Sequence, residues 1–334
     1  MLAGKLPLDL LARLLERIKI DDPRVVLGPR TGEDAALIDF GDRYLVAKTD
    51  PITFATDLIG WYVVQVNAND LAVMGATPRW LMVTLLLPEG TAAETVQKTF
   101  DQLGDACDRL KITLVGGHTE ITYDLPRPIA IGAMLGEVDK ERAVFTSGAR
   151  PGDAVVLTKG IAVEGTALLA RESEAALLTA GVDAGTIERA KDMLFSPGIS
   201  VVRDAAIACD TVRVHSMHDP TEGGLAHGLL ELAVGAGVGV TVDAEKIPVL
   251  PDCRILCKAL GLDPMGLIGS GALLATVAPE EAPILVSALE REGIPAYDIG
   301  KITPPEEGLK LKTGGKTEDL PVFERDELAR FLGN

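Results

Sequence analysis

The chain has 334 residues, enough for two domains that each bury a core. Its formal net charge of −17 argues against nucleic acid and anionic membranes as partners. It leaves anionic substrates open, because carboxylates hold Mg2+ and the metal holds phosphate.

Apolar residues make up 47 % and charged residues 24 %, an ordinary soluble balance. Of Cys107, Cys209, Cys253 and Cys257, only the last two are close, at helical i, i+4 spacing with no partner pair elsewhere. They read as buried reduced thiols of a cytoplasmic protein rather than as a zinc site. Residues 1–20 alternate apolar and charged positions at helical spacing, unlike a signal peptide, and no apolar run is long enough to predict a membrane span.

In chain order, Leu8, Leu11, Leu14, Leu15 and Ile18 mark one face of an amphipathic helix. Residues 35–40 and 44–47, joined across Gly41-Asp42, read as a hairpin. Leu58 to Val66 is almost wholly apolar and runs into Asn67-Ala68-Asn69-Asp70-Leu71-Ala72-Val73-Met74-Gly75-Ala76. This predicts a buried helix ending at Gly75, with Pro78 just beyond. A strand over 79–87 stopped by Pro88, a helix over 91–110, a short strand 112–115 running into Gly116-Gly117, and a strand over 129–135 follow. Turn formers crowd 147–153, the boundary expected between domains 1–148 and 149–334. Beyond it a strand is expected over 154–158, a helix over 164–171 and a polar helical surface region over 173–193. Ser196-Pro197-Gly198 opens a helix carrying 205–209; a strand over 212–217, a helix over 223–235 and a terminal amphipathic helix over 324–332 complete the pattern. The content is that of an α/β (α+β) protein without tandem repeats.

Asp70 poses the chemical question, since a carboxylate set into an apolar helix normally finds a cation, a metal or several donors. Other acids stand at strand ends and glycine turns: Glu33-Asp34, Asp50 after Lys48-Thr49, Glu120 after Gly116-Gly117-His118-Thr119, and Asp219 with Glu222 in His218-Asp219-Pro220-Thr221-Glu222-Gly223-Gly224. Each acid alone is equally well a cap or turn residue. Together they form an oxygen-rich set of the kind that suits Mg2+. No Gly-x-x-x-x-Gly-Lys-Ser/Thr is present, which excludes a P-loop, and Gly235-Ala236-Gly237-Val238-Gly239 has helix and strand in the wrong order for a dinucleotide loop. Gly266, Gly269 and Gly271, around Ser270, permit close backbone approach to a ligand or make a tight turn. Lys159 is the better point charge for phosphate, because Gly160 frees the backbone beside it; Lys48 reads more readily as a surface lysine. Of the four histidines, His118 and His218 sit in glycine-rich motifs, and His215 and His227 read as structural. No nucleophilic triad has local support.

Gly32-Glu33-Asp34-Ala35-Ala36, Thr49-Asp50, the string 69–76, Gly116-Gly117-His118-Thr119 and the string 219–226 resemble, in order and spacing, the aminoimidazole ribonucleotide (AIR) synthetase-like superfamily. Within it, the chain looks most like the hydrogenase maturation protein HypE. The resemblance implies a PurM-like two-domain fold, with an N-terminal domain that dimerises through a β-barrel and a C-terminal α+β sandwich. It implies Mg2+ and ATP as cofactors, Asp34, Asp50, Asp70 and Glu120 on metal positions, and Lys48, Lys159, Asn69, Gly116, Gly117 and Thr119 on nucleotide positions. Asp50, Asp219 and His118 are the implied catalytic residues. The shared chemistry is attack of an oxygen acceptor on the γ-phosphate. In HypE that oxygen is the amide of a carbamoylated C-terminal cysteine, which is dehydrated to a thiocyanate. Three departures mark this chain as a HypE-like paralogue: it ends Phe331-Leu332-Gly333-Asn334 without a cysteine, His118 stands where many members have an acid, and Glu222 where HypE usually has an arginine. Two alternatives to an Mg-ATP-dependent enzyme stand beside it, a nucleotide-binding accessory protein without turnover and a thiamine-monophosphate-kinase-like enzyme. The acceptor, a small molecule or a partner's side chain, is not named by any motif.

Overall fold

The computed structural model describes residues 4–333. Two compact units interleave along the chain. The N-terminal unit holds Asp22–Gly28 and Ala35–Ala143; the C-terminal unit holds residues 4–21, Pro29–Asp34 and 144–333. The division therefore falls slightly before the expected 148/149 and is not continuous. The reason lies in particular bonds of the C-terminal unit. Lys5 donates its backbone N–H to Glu222 and pairs with Glu231, and the Glu33 carboxylate accepts from the N–H groups of Thr146 and Ser147.

The first helix, α1 (Leu8–Leu15), belongs to the C-terminal unit and is amphipathic as expected, though Ile18 lies beyond its end. The N-terminal unit follows with β1 (Val25–Leu27), β2 (Ala36–Asp39), β3 (Arg43–Ile52), α2 (Ile59–Ala72), β4 (Thr77–Pro88), α3 (Ala93–Leu110), β5 (Thr113–Thr122) and β6 (Ile129–Asp139). Its strands form one sheet in the order β1-β2-β3-β6-β4-β5. Neighbours are antiparallel except β4 and β5, which the α3 crossover joins in parallel. Burial alternates along β6 from Ile129 to Val138, the period of a sheet with one face covered. That cover is α2 and α3, and every residue of α2 is buried, its Gln65, Asn67, Asn69 and Asp70 included.

One element departs from its reading. Gly116 and Gly117 do not end a short strand in a turn; β5 runs straight through them for ten residues. Gly117 has φ +148°, and a Cβ there would lie 2.0 Å from the carbonyl oxygen of Val83, its partner on β4. The glycine is needed where two backbones approach, not where the chain turns.

The C-terminal unit continues with β7 (Ala154–Thr158), α4 (Val163–Glu172), α5 (Glu174–Thr179), α6 (Ala184–Asp192), α7 (Val202–Thr211), β8 (Ser216–His218), α8 (Gly224–Ala236), β9 (Gly239–Asp243), α9 (Pro251–Leu260), β10 (Leu274–Val277), α10 (Ala282–Arg291), β11 (Ala296–Thr303), β12 (Leu309–Thr313), β13 (Lys316–Asp319) and α11 (Glu327–Leu332). The sheet order is β13-β12-β9-β11-β7-β10-β8, with β9 and β12 the one parallel pair. Leu157, Leu225, Leu229, Leu232, Val242 and Leu274 form part of its core, where α8 packs on the sheet. The strand expected over 212–217 is reduced to three residues, and the terminal helix starts at Glu327 because the Asp326 carboxylate caps it through the Leu328 N–H. Among the described residues no helix is long and apolar enough to cross a membrane.

Candidate active site

In the N-terminal unit, the central strand β3 carries Lys48, Thr49 and Asp50, and α2 lies against it. Asn67 joins the two. Its side-chain oxygen accepts the Asp50 N–H at 2.9 Å, and its amide nitrogen donates to the Asp50 carbonyl at 3.2 Å and to Val63 at 2.8 Å. Gly132 on β6 makes room for this amide, since a Cβ there would stand 2.3 Å from the Asn67 nitrogen. Asn67 thus fixes the backbone of Asp50 by mimicking a strand partner. The Lys48 ammonium then lies 3.5 Å from Asp70 and 3.9 Å from Asp50, an ion-pair separation longer than a good hydrogen bond. The question raised by Asp70 has its answer in part: this carboxylate, 4 % exposed, lies beside the Lys48 ammonium. Asn69 is fully buried on the same helix.

The C-terminal unit holds the second acidic set. The Asp34 carboxylate accepts from the Thr146 hydroxyl at 3.3 Å and lies 3.0 Å from Nδ1 of His218. Nε2 of His218 lies 3.2 Å from Glu231, and Glu231 is reached in turn by Lys5 at 3.1 Å and His227 at 3.5 Å. Burial alone would lower the His218 pKa, but the Asp34 and Glu231 carboxylates outweigh it and hold the imidazole well above its ordinary value. Burial likewise works against ionised Glu231, while Lys5, His218 and His227 hold its carboxyl well below the usual range. Asp219, next to His218, is buried, and one of its carboxylate oxygens lies within 4.8 Å of one of Asp34. Two hard oxygen donors at that spacing fit a divalent cation together with its water shell, and they suit Mg2+ better than a softer metal.

Other expected site residues lie elsewhere. Lys159 is 6 % exposed; its ammonium lies 3.2 Å from Asp204 and donates to the Ser200 carbonyl. Asp204 also accepts from the Thr158 hydroxyl at 2.8 Å. The expected phosphate charge is therefore committed inside the unit, because a lysine this deep needs a counter-charge to remain an ammonium. Gly116, Gly117, His118, Thr119 and Glu120 stand on β5, which is exposed from Thr113 to Ile121. His118 and Glu120 face each other at 3.3 Å, on one side of the strand. Since β3 and β5 are three strand spacings apart in the sheet, about 14 Å at ~4.8 Å each, the fold does not bring His118 or Glu120 to Asp50 within this unit.

Sequence reasoning missed Glu231 and underrated His218. The signal for Glu231 was available, for it is the one acid in the otherwise apolar Leu229-Leu230-Glu231-Leu232-Ala233, as Asp70 is in its own helix. His218 carried no such signal; its two partners are 184 residues and 13 residues away in the chain.

Residues 32–138 match AIR synthase related protein, N-terminal domain, and residues 150–312 match AIR synthase related protein, C-terminal domain. A putative hydrogenase expression/formation protein of Methanocaldococcus jannaschii is 28 % identical over 319 residues, covering 92 % of this chain and 91 % of its own length. Carbamoyl dehydratase HypE of Rhizobium leguminosarum bv. viciae is 29 % identical over 285 residues, covering 82 % and 77 %. A solved structure of hydrogenase maturation protein HypE in complex with ATP has the same fold, with a TM-score of 0.70 at 24 % identity and coverage of 95 % and 96 %. With both domains matched and a PurM-like two-domain fold, the chain belongs to the AIR synthase related family.

Proposed function

We propose that the chain is an Mg-ATP-dependent, HypE-like enzyme that activates an oxygen acceptor by phosphoryl transfer. The observation that carries the reading is the trio Lys48, Asp50 and Asp70. Two carboxylates lie within ion-pair reach of one ammonium, on a buried helix and the strand beside it, and such an oxygen-rich group is of the kind that takes a hard cation. Asp50 and Asp70 are the proposed metal ligands of the N-terminal unit and Asp34 that of the C-terminal unit, and Asp219 is the proposed group that orients the acceptor. Mg2+ supplies charge stabilisation to the transferring phosphoryl group. Asn67 holds Asp50 in place, and Lys48 keeps the two nearby acids from repelling each other. The relatives named carbamoyl dehydratase support an amide-type oxygen as the acceptor class. A structure titled as an ATP complex in the same fold supports the nucleotide. The relatives' names support a role in maturing a hydrogenase or another metalloenzyme.

Calorimetry with Mg-ATP tests the core of this reading. Asp50→Asn and Asp70→Asn should each abolish binding, and retained binding in both would overturn it. Phosphate release in the presence of amide-bearing acceptors then tests turnover; binding with no release under any condition would leave an accessory role. We also propose that the chain forms a homodimer through β5. That edge strand exposes Leu114, Val115 and Ile121, and an open apolar edge recruits another strand. Val115→Lys should yield a monomer by light scattering if this holds.

A further inference from the structure

The buried row of alternating charge in the C-terminal unit has no place in phosphate chemistry as such, yet it ends on a proposed metal ligand. Glu231 sits inside α8, 9 % exposed, where an unpaired carboxylate would be costly. His218 is held at both ring nitrogens, by Asp34 at 3.0 Å and by Glu231 at 3.2 Å. Such an imidazole cannot rotate without breaking both contacts, and Asp34 cannot rotate without breaking its contact with His218 and one more, from the Thr146 hydroxyl. Behind Glu231, Lys5 carries the row to a side chain that is 38 % exposed.

We propose that His218 is a positioning residue, braced by Glu231, that orients the Asp34 carboxylate toward a divalent cation. Partners behind a ligand fix its orientation and tune its basicity, and their loss characteristically costs 10–100-fold in metal affinity. The inference rests on Asp34 being a metal ligand, as proposed above. The competing possibility is that the row only ties β8, α8 and the segment around Asp34 together.

Titration with Mn2+, followed by electron paramagnetic resonance in the presence of a non-hydrolysable ATP analogue, separates the two. His218→Gln and Glu231→Gln should each weaken Mn2+ binding about tenfold or more. Affinity for the analogue at saturating metal should stay within about twofold, a split that a purely structural role would not produce. Glu231→Gln keeps the shape of the side chain and the His218–Asp34 contact, so it carries the test if His218→Gln does not fold. Asp34→Asn runs in parallel. If it binds Mn2+ as the unaltered protein does, Asp34 is no ligand and the reading beneath this one fails. If Asp34→Asn is weakened while both other variants bind normally, the positioning role alone is overturned. Loss of folding in both His218→Gln and Glu231→Gln would assign the row to structure and overturn the proposal as well.

Discussion

The Lys159–Asp204 pair offers the sharpest test of how charge is handled in the C-terminal unit, because sequence and structure assign Lys159 different work. Asp204→Asn leaves the ammonium buried with the Ser200 carbonyl and an amide in place of a carboxylate. Side-chain exposures of 6 % and 2 % place both groups out of bulk water, and breaking one side of such a pair costs about 3–5 kcal/mol. For a unit of this size that is a fall of about 6–20 °C in melting temperature, at 2–4 °C per kcal/mol. Burial already lowers the Lys159 pKa and Asp204 opposes the shift. A folded-state pKa below the unfolded one means that stability rises with pH through that interval, and Asp204→Asn should widen it. The double variant Lys159→Met/Asp204→Leu removes both charges and should regain most of the loss. Scanning calorimetry is the suitable assay, since Trp61 and Trp80 both belong to the N-terminal unit and their fluorescence would report on the wrong part of the chain. The double variant should also bind Mg-ATP within about twofold of the unaltered protein, because this ammonium already has its counter-charge. A melting point for Asp204→Asn within ~2 °C of the original would refute the argument. So would a tenfold loss of nucleotide affinity in a stably folded double variant, which would return Lys159 to phosphate binding.

Gly117→Ala should unpair β5 from β4 around Val83, where a Cβ would meet the carbonyl at 2.0 Å; hydrogen exchange of the β5 amides should accelerate while that of β3 stays slow. Asn67→Leu keeps the volume but removes the amide's bonds to the Asp50 N–H and carbonyl, so urea unfolding read by tryptophan fluorescence should show a loss of about 2–4 kcal/mol. Burial pushes the Asp326 carboxyl up from its ordinary 3.8 to about 6, even though the Gly223 and Leu328 N–H groups favour its ionised form. With the folded pKa above the unfolded one, its contribution is full below about pH 4 and is lost as pH rises through 6, a swing of about 3 kcal/mol. Asp326→Asn should flatten that part of the stability–pH curve, and a curve unchanged between pH 4 and 7 would count against the shift.

Much of the architecture was legible because hydrophobic period and turn chemistry act locally. The hairpin across Gly41-Asp42, the all-buried α2, the crossover helix α3 and the order of helix and strand around Gly235 each follow from a few neighbouring residues. The family resemblance was legible for a related reason: its short strings mark places where a backbone or a carboxylate has little freedom. Where local reading failed, a distant partner decided the outcome. Gly116-Gly117 looks like a turn in isolation and becomes a strand because β4 lies alongside. The strand near Met217 is short because β10 pairs with it only at Ser216, Met217 and His218.

The same distinction governs the site. By itself the sequence determined that Asp70 is buried, since an apolar helix carries it inward whatever surrounds it, and that acids recur at strand ends. Only tertiary structure decided which charge meets which. Lys48 reaches Asp70 because α2 packs on β3; Lys159, the stronger candidate by sequence, is turned inward to Asp204; His218 links Glu231 to Asp34, two acids that lie far from each other along the chain. Burial is written in composition and period, which are properties of a segment. Pairing depends on where two segments meet, and the free energy of a buried charge is set there.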